Sequence, residues 1–174
     1  MEAIIASALA IILFGAVLAA LENSQTVQAR DTEWALTLQE GRAGLARMAQ
    51  EIRQASKVEK AEAGTIVFLR SISGKSWQVK YECGVAQSGT TYDECVRFAA
   101  EEGASLPSVG TPIVRDVANG TTVFSYSPSA SPNVVTLKVE LPAKGTLHQA
   151  GGSAYGQNIV LEDAAFMRNL DLSG

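Results

Sequence analysis

The hydrophobic pattern of this chain changes character twice. Residues 3–21 read AIIASALAIILFGAVLAAL, a run of 19 without a charge and with Ser7 as its one polar interruption. As a helix, that run spans roughly 28 Å, close to the hydrocarbon thickness of a bilayer. Glu2 stands immediately before it, Glu22 immediately after it, and no basic residue occurs until Arg30. From Glu22 to about Val58 there is no proline. Apolar or small residues return at Trp34, Leu38, Gly41, Leu45, Met48, Ile52 and Ala55, alternately four and three apart. That spacing predicts one buried side of a helix, with Arg42, Arg47, Glu51, Arg53 and Gln54 on the other side. Gly41 and Gly44 each cost up to about 1 kcal/mol relative to alanine in a helix, so a bend or a close packing contact is expected there. Together, residues 1 to about 58 predict one continuous helix on the order of 85 Å long.

Beyond Ala61 the period shortens to two. Residues 65–70 (TIVFLR) and 76–82 (SWQVKYE) flank a Ser73–Gly74–Lys75 turn and predict a β-hairpin. Val135, Leu137, Val139 and Leu141 alternate with Thr136, Lys138 and Glu140, a half-buried strand. Weaker strand patterns lie at 95–99, 122–127 and 158–161. All five prolines fall in this half. The expected fold class is therefore α+β. A long N-terminal helix, apolar in its first third and amphipathic in its second half, packs on an antiparallel β-sheet head. The division is 1–60 for the helix and 61–174 for a β-rich head.

Composition narrows the function. With 47% apolar and 18% charged residues, the chain is not a disordered tail. A net charge of -4 argues against a nucleic-acid partner, and one histidine with two cysteines cannot build a His- or Cys-rich metal site. No G-x-S-x-G, Walker A or H-E-x-x-H pattern occurs, so no catalytic, cofactor-binding or metal-ligating residue is assigned and an enzyme is not expected. His148 sits in a Gly/Ala-rich stretch that predicts a solvated loop. The acidic pairs Asp93–Glu94, Glu101–Glu102 and Glu162–Asp163 read as solvated surface. Asn119–Gly120–Thr121 matches a glycosylation sequon and also a good turn, and the turn is preferred.

Three readings compete for residues 3–21. A signal peptide lacks its basic start here, and the apolar run is too long. A plain single-span anchor leaves the carboxylate at the start of the span unexplained. In the third reading the helix serves first as anchor and then as an assembly element. An anchor places the head outside the cytoplasm, where Cys83 and Cys95 are expected to form a disulfide worth roughly 3 kcal/mol. Two free buried thiols are the alternative, and a redox pair fits less well because the spacing is not C-x-x-C.

The N-terminal stretch MEAIIASALAIILFGAVLAAL resembles the mature N-terminus of type IV pilins and of the related pseudopilins of type II secretion. RAGLARMAQEIRQASKV (42–58) is similar to the amphipathic half of the helix in minor pilins and pseudopilins. The ending AAFMRNLDL (164–172) is similar to their C-terminal strand. In the family the glutamate usually lies a few residues further in, behind a leader ending in glycine, so such residues are expected to precede this chain. The resemblance implies that Glu2 pairs with the α-amino group of a neighbouring subunit and sets register. It implies that Gly15 marks a place where the helix loosens or packs on assembly. It further implies a homo-oligomer in a helical filament, handled by a pilus assembly machinery and a prepilin peptidase, and an N-methylated terminus. The subunit would wait in the cytoplasmic membrane and end at the cell surface, as a major pilin or, alternatively, a minor pilin or pseudopilin. A reading of another class is a membrane-anchored binding module whose loops 83–95 and 101–111 capture a ligand.

Overall fold

A computed structural model of the chain describes residues 2–128, 132–142 and 158–167; within the first helix, side chains are described at 12–21, 32 and 35–53. Helix α1 is Glu2–Arg53. Eight strands follow among the described residues: β1 (Ala55–Glu62), β2 (Thr65–Ile72), β3 (Lys75–Ala86), β4 (Asp93–Glu101), β5 (Thr111–Val117), β6 (Phe124–Ser127), β7 (Val134–Leu141) and β8 (Ile159–Phe166). They form two antiparallel sheets, β1-β2-β3-β4-β5 and β6-β7-β8. Between the sheets, Gly120–Thr122 makes one turn of 3-10 helix.

The expected fold class is overturned. The helical residues with described surroundings form two short stretches, 12–21 and 35–53, and about half of the described residues are strand in two antiparallel sheets. The α+β picture of a long N-terminal helix packed along an antiparallel sheet head is therefore wrong. In place of one sheet there are two, and burial in the helix begins only at Gly41. The helix also stops at Arg53, not near Val58, because Ala55 to Glu62 pair with Arg70 to Thr65 as strand β1. Five charged or polar side chains crowd that stretch (SKVEKAE), so its strand character comes from the partner and not from its own pattern.

The hairpin signal is read locally. Ser73 (φ 51°) and Gly74 (φ 80°) both take positive φ between the paired Ile72 and Lys75, the two-residue turn whose twist suits adjoining strands. A single core joins the end of α1 to both sheets. Leu45, Met48, Ala49 and Ile52 meet Ile66, Phe68, Val79, Tyr81 and Val114 from one sheet and Val135, Leu137, Val139 and Leu141 from the other. Each large side chain buried this way contributes roughly 1.5–3 kcal/mol.

Two glycines let the helix come so close. A Cβ on Gly44 would stand 2.5 Å from the Ile113 carbonyl oxygen and 2.5 Å from Val114 Cγ2. On Gly41 it would stand 2.6 Å from Leu141 Cδ1 and 2.9 Å from Leu161 Cδ1. The pair thus seats α1 between β5 on one side and β7 and β8 on the other.

The sheets are stitched by side chains acting as backbone. Asn119 Nδ2 donates to the Lys138 carbonyl at 2.8 Å, and its Oδ1 accepts from the Glu140 amide at 2.8 Å. Both halves of the sequon amide are thus engaged by β7, which accounts for this asparagine structurally. Tyr126 donates to the Glu62 carbonyl at 2.7 Å, tying β6 to the end of β1.

Candidate assembly surface

Along residues 12–21 none of the described residues covers the helix. Ile12, Leu13, Phe14, Val17, Leu18 and Leu21 are each between 53% and 71% exposed. These residues form helix without difficulty, but they turn apolar groups to every side, so no single face can satisfy them. Monomeric proteins rarely leave a contiguous apolar surface this large, and such surfaces mark places of association. Gly15 lies within this stretch, and a Cβ there would meet nothing within 4 Å. No contact among the described residues therefore explains that glycine. Glu2 is the first residue of α1, and its side chain lies outside the described ones. Among the described residues no helix is long and apolar enough to cross a membrane; the side chains of 3–11, half of the expected anchor, lie outside them.

On the head, Cys83 and Cys95 are joined by a disulfide across the adjacent strands β3 and β4, at the bulge where the register shifts between Glu82 and Val85. Both sulfurs are buried in the core, at 5% and 0% exposure of their residues. The bridge closes the loop that carries Gly89, Thr90, Thr91 and Tyr92, which with Asp116 line an open hollow of about 560 Å³. A second groove, about 400 Å³, runs between α1 and β8 and is lined by Arg42, Leu45, Ala46 and residues 160–163. Glu101 of one acidic pair bonds Lys75 at 2.7 Å, and Asp163 of another meets Arg53 at 3.4 Å. His148 lies outside the described residues. Among the described residues no group of three or more His, Cys, Asp or Glu is placed to hold a metal.

A cluster of charges at the junction of helix and sheet escaped the sequence reading. Glu51, expected on the solvent side, is only 8% exposed. The reason is angular. Three residues after Met48, it sits on the flank of the buried stripe and not behind it. Arg97 Nε donates to Glu51 Oε2 at 2.9 Å, while Arg70 NH1 and Arg47 Nε stand 3.6 Å from Oε1. Arg70, on β2, and Arg97, on β4, flank β3, whose Tyr81 pairs directly with Arg97.

One carboxylate thus faces three guanidinium groups. Tyr81 is fully buried and its hydroxyl is directed at the Glu51 carboxylate without a bond of good geometry, while Arg70 Nε has no hydrogen-bond partner among the described residues. Burial first, then the Glu51 charge and the Glu51 carboxylate as acceptor, hold the Tyr81 phenol well above its ordinary pKa, so it stays protonated. A buried donor left without an acceptor costs about 1–3 kcal/mol. Burial pushes the Tyr126 phenol well up too, although its bond to Glu62 works against that. The i,i+4 spacing of Arg47 and Glu51 was visible in the sequence; the two strand arginines that complete the cluster were not, being 19 and 46 positions from Glu51 in the chain.

Comparison with known proteins adds no relative: no family model, no curated protein and no solved structure matches this chain.

Proposed function

We propose that the chain is a structural subunit of a type IV pilus-like extracellular filament, assembling through its apolar N-terminal helix. What supports this is the bare helix of residues 12–21, apolar on all sides and without a covering partner in its own head. Two environments cover such a rod: the acyl chains of a membrane before assembly, and the same helix of neighbouring copies afterwards. The same sequence suits both because neither asks for a polar side. Glu2, at the start of that run, has a part in this reading as the partner of a neighbour's α-amino group. An unpaired carboxylate in an apolar bundle is strongly unfavourable, so only the register that pairs it assembles. The disulfide-closed head is suited to the oxidising side of the membrane. A prepilin peptidase and a pilus assembly machinery are the partners this reading requires, and no chemistry of the subunit's own.

Mass spectrometry of the N-terminal peptide from fibres sheared off native cells tests the reading. The expected result is a trimmed, N-methylated terminus just upstream of Glu2, and loss of fibres from a Glu2→Ala strain whose head still folds. An unprocessed terminus recovered from membranes alone would overturn it in favour of an anchored binding module. Normal fibre yield from Glu2→Ala would remove the role given to Glu2.

A further inference from the structure

The geometry points to an oxyanion-binding site at the junction of helix and sheet, built by Arg47, Arg70 and Arg97 around Glu51. This does not rest on the filament reading. Its basis is a surplus of donors over acceptors. Glu51 accepts one close hydrogen bond, from Arg97 at 2.9 Å, and the two other guanidinium contacts, at 3.6 Å, are beyond hydrogen-bonding range. Arg70 Nε is buried and lacks an acceptor among the described residues, whereas the Tyr81 hydroxyl is directed at the Glu51 carboxylate. The remaining imbalance is one of charge: among the described residues three positive groups are paired with one negative, in a chain whose net charge is -4.

Arg53, six residues beyond Arg47 on the same helix, shows how a balanced arginine looks here. Its NH2 donates to the Ala164 carbonyl at 3.0 Å and faces Asp163 at 3.4 Å. No such one-to-one match exists around Glu51. A second oxyanion supplies what is missing: acceptor lone pairs for planar guanidinium forks and negative charge for the surplus. The way in is from the side of Arg47, whose side chain is 51% exposed, whereas those of Arg70 and Arg97 are 14% and 15% exposed. Glu51 holds the guanidinium groups together when the site is empty, and the incoming anion takes the outward donors. The ligand chemistry is that of a carboxylate or a small inorganic oxyanion. It comes either free from solution or on an acidic side chain of a second copy.

The test uses the full chain in neutral detergent, with inorganic phosphate and then acetate added at constant ionic strength set by sodium chloride. Arginine Nε–Hε signals are followed by NMR. A saturable shift of Arg70 and Arg97, with Arg42 unmoved, is the expected result. The Arg47→Gln variant should bind at least tenfold more weakly while its other signals stay in place, and Arg70→Gln should lose the saturable response. If Arg70→Gln does not fold, the exposed Arg47 variant still decides the matter. Signals that move on dilution before any anion is added assign the acceptor to a second copy; signals independent of protein concentration assign it to the free ion. Shifts that never saturate, that appear equally on Arg42, or that are unchanged in Arg47→Gln overturn the proposal.

Discussion

One helix, two fates: residues 12–21 and residues 41–53 share a backbone conformation and nothing else. In the first stretch every large apolar side chain is more than half exposed. In the second, Met48, Ala49 and Ile52 are fully buried and Leu45 nearly so. Apolar content does not separate them, since the exposed stretch is the more apolar. What separates them is periodicity. A stripe commits a helix to one partner surface, and here the chain supplies that surface itself. A helix apolar all round commits to no surface and waits for an environment. The two glycine settings repeat the contrast, with Gly44 pressed against a carbonyl and Gly15 touching nothing within 4 Å.

The contrast is sharpened most by removing the charge that only the packed half contains. Glu51→Gln leaves three guanidinium groups around a neutral amide, and breaking a buried pair in this way costs roughly 3–5 kcal/mol. Denaturant unfolding of the head should report a loss of that size, and an unchanged midpoint would show that Glu51 is not what holds those arginines. Next comes truncation of one side chain in each half. Ile52→Ala, at a position with 0% exposure, should cost roughly 2–5 kcal/mol of head stability. Leu18→Ala, at 60% exposure, should leave the head within about 0.5 kcal/mol of its parent and reduce fibre yield instead. A Leu18→Ala chain that lost head stability would mean that the exposed stretch does pack on its own head.

How much of this was legible in the sequence follows the range of the interactions. The β2–β3 hairpin could be read because two adjacent runs and the Ser73–Gly74 turn encode it locally. The core positions Leu45, Met48 and Ile52 could be read because their spacing is local too. Strand β1 was lost to the helix because Lys57, Glu59 and Lys60 suit either state, and only pairing with β2 decides between them. Strand β5 was missed because Pro112 and Arg115 break its alternation; as the last strand of its sheet it tolerates both. Asn119 turns its amide onto β7 where the chain passes from one sheet to the other, and no pattern in the sequence marks that side chain as a backbone substitute. The Glu51 cluster was hidden for the same reason. Arg70 and Arg97 alternate correctly as strand residues, and nothing in a strand pattern tells which face will meet a carboxylate from a helix.

Adding one methyl group at each glycine of the helix discriminates most finely, down to an expected effect of zero on the head. At Gly44 the new Cβ meets a backbone carbonyl oxygen at 2.5 Å, which cannot swing aside without moving β5. Gly44→Ala should therefore destabilise the head by about 1–3 kcal/mol, as overpacking does. At Gly41 the obstacles are the tips of Leu141 and Leu161, which have other rotamers, so the cost should lie below that of Gly44→Ala. At Gly15 there is no obstacle, and Gly15→Ala should gain up to about 1 kcal/mol of local helix stability. Thermal unfolding of the head and helicity by circular dichroism measure the two responses separately. The predicted order of head stability is Gly15→Ala equal to parent, then Gly41→Ala, then Gly44→Ala. If Gly15→Ala leaves the head intact but blocks assembly, the glycine answers to a neighbouring molecule and not to its own chain. If it assembles normally, close packing or loosening at Gly15 has no part in association, and the bare stretch needs only its apolar character.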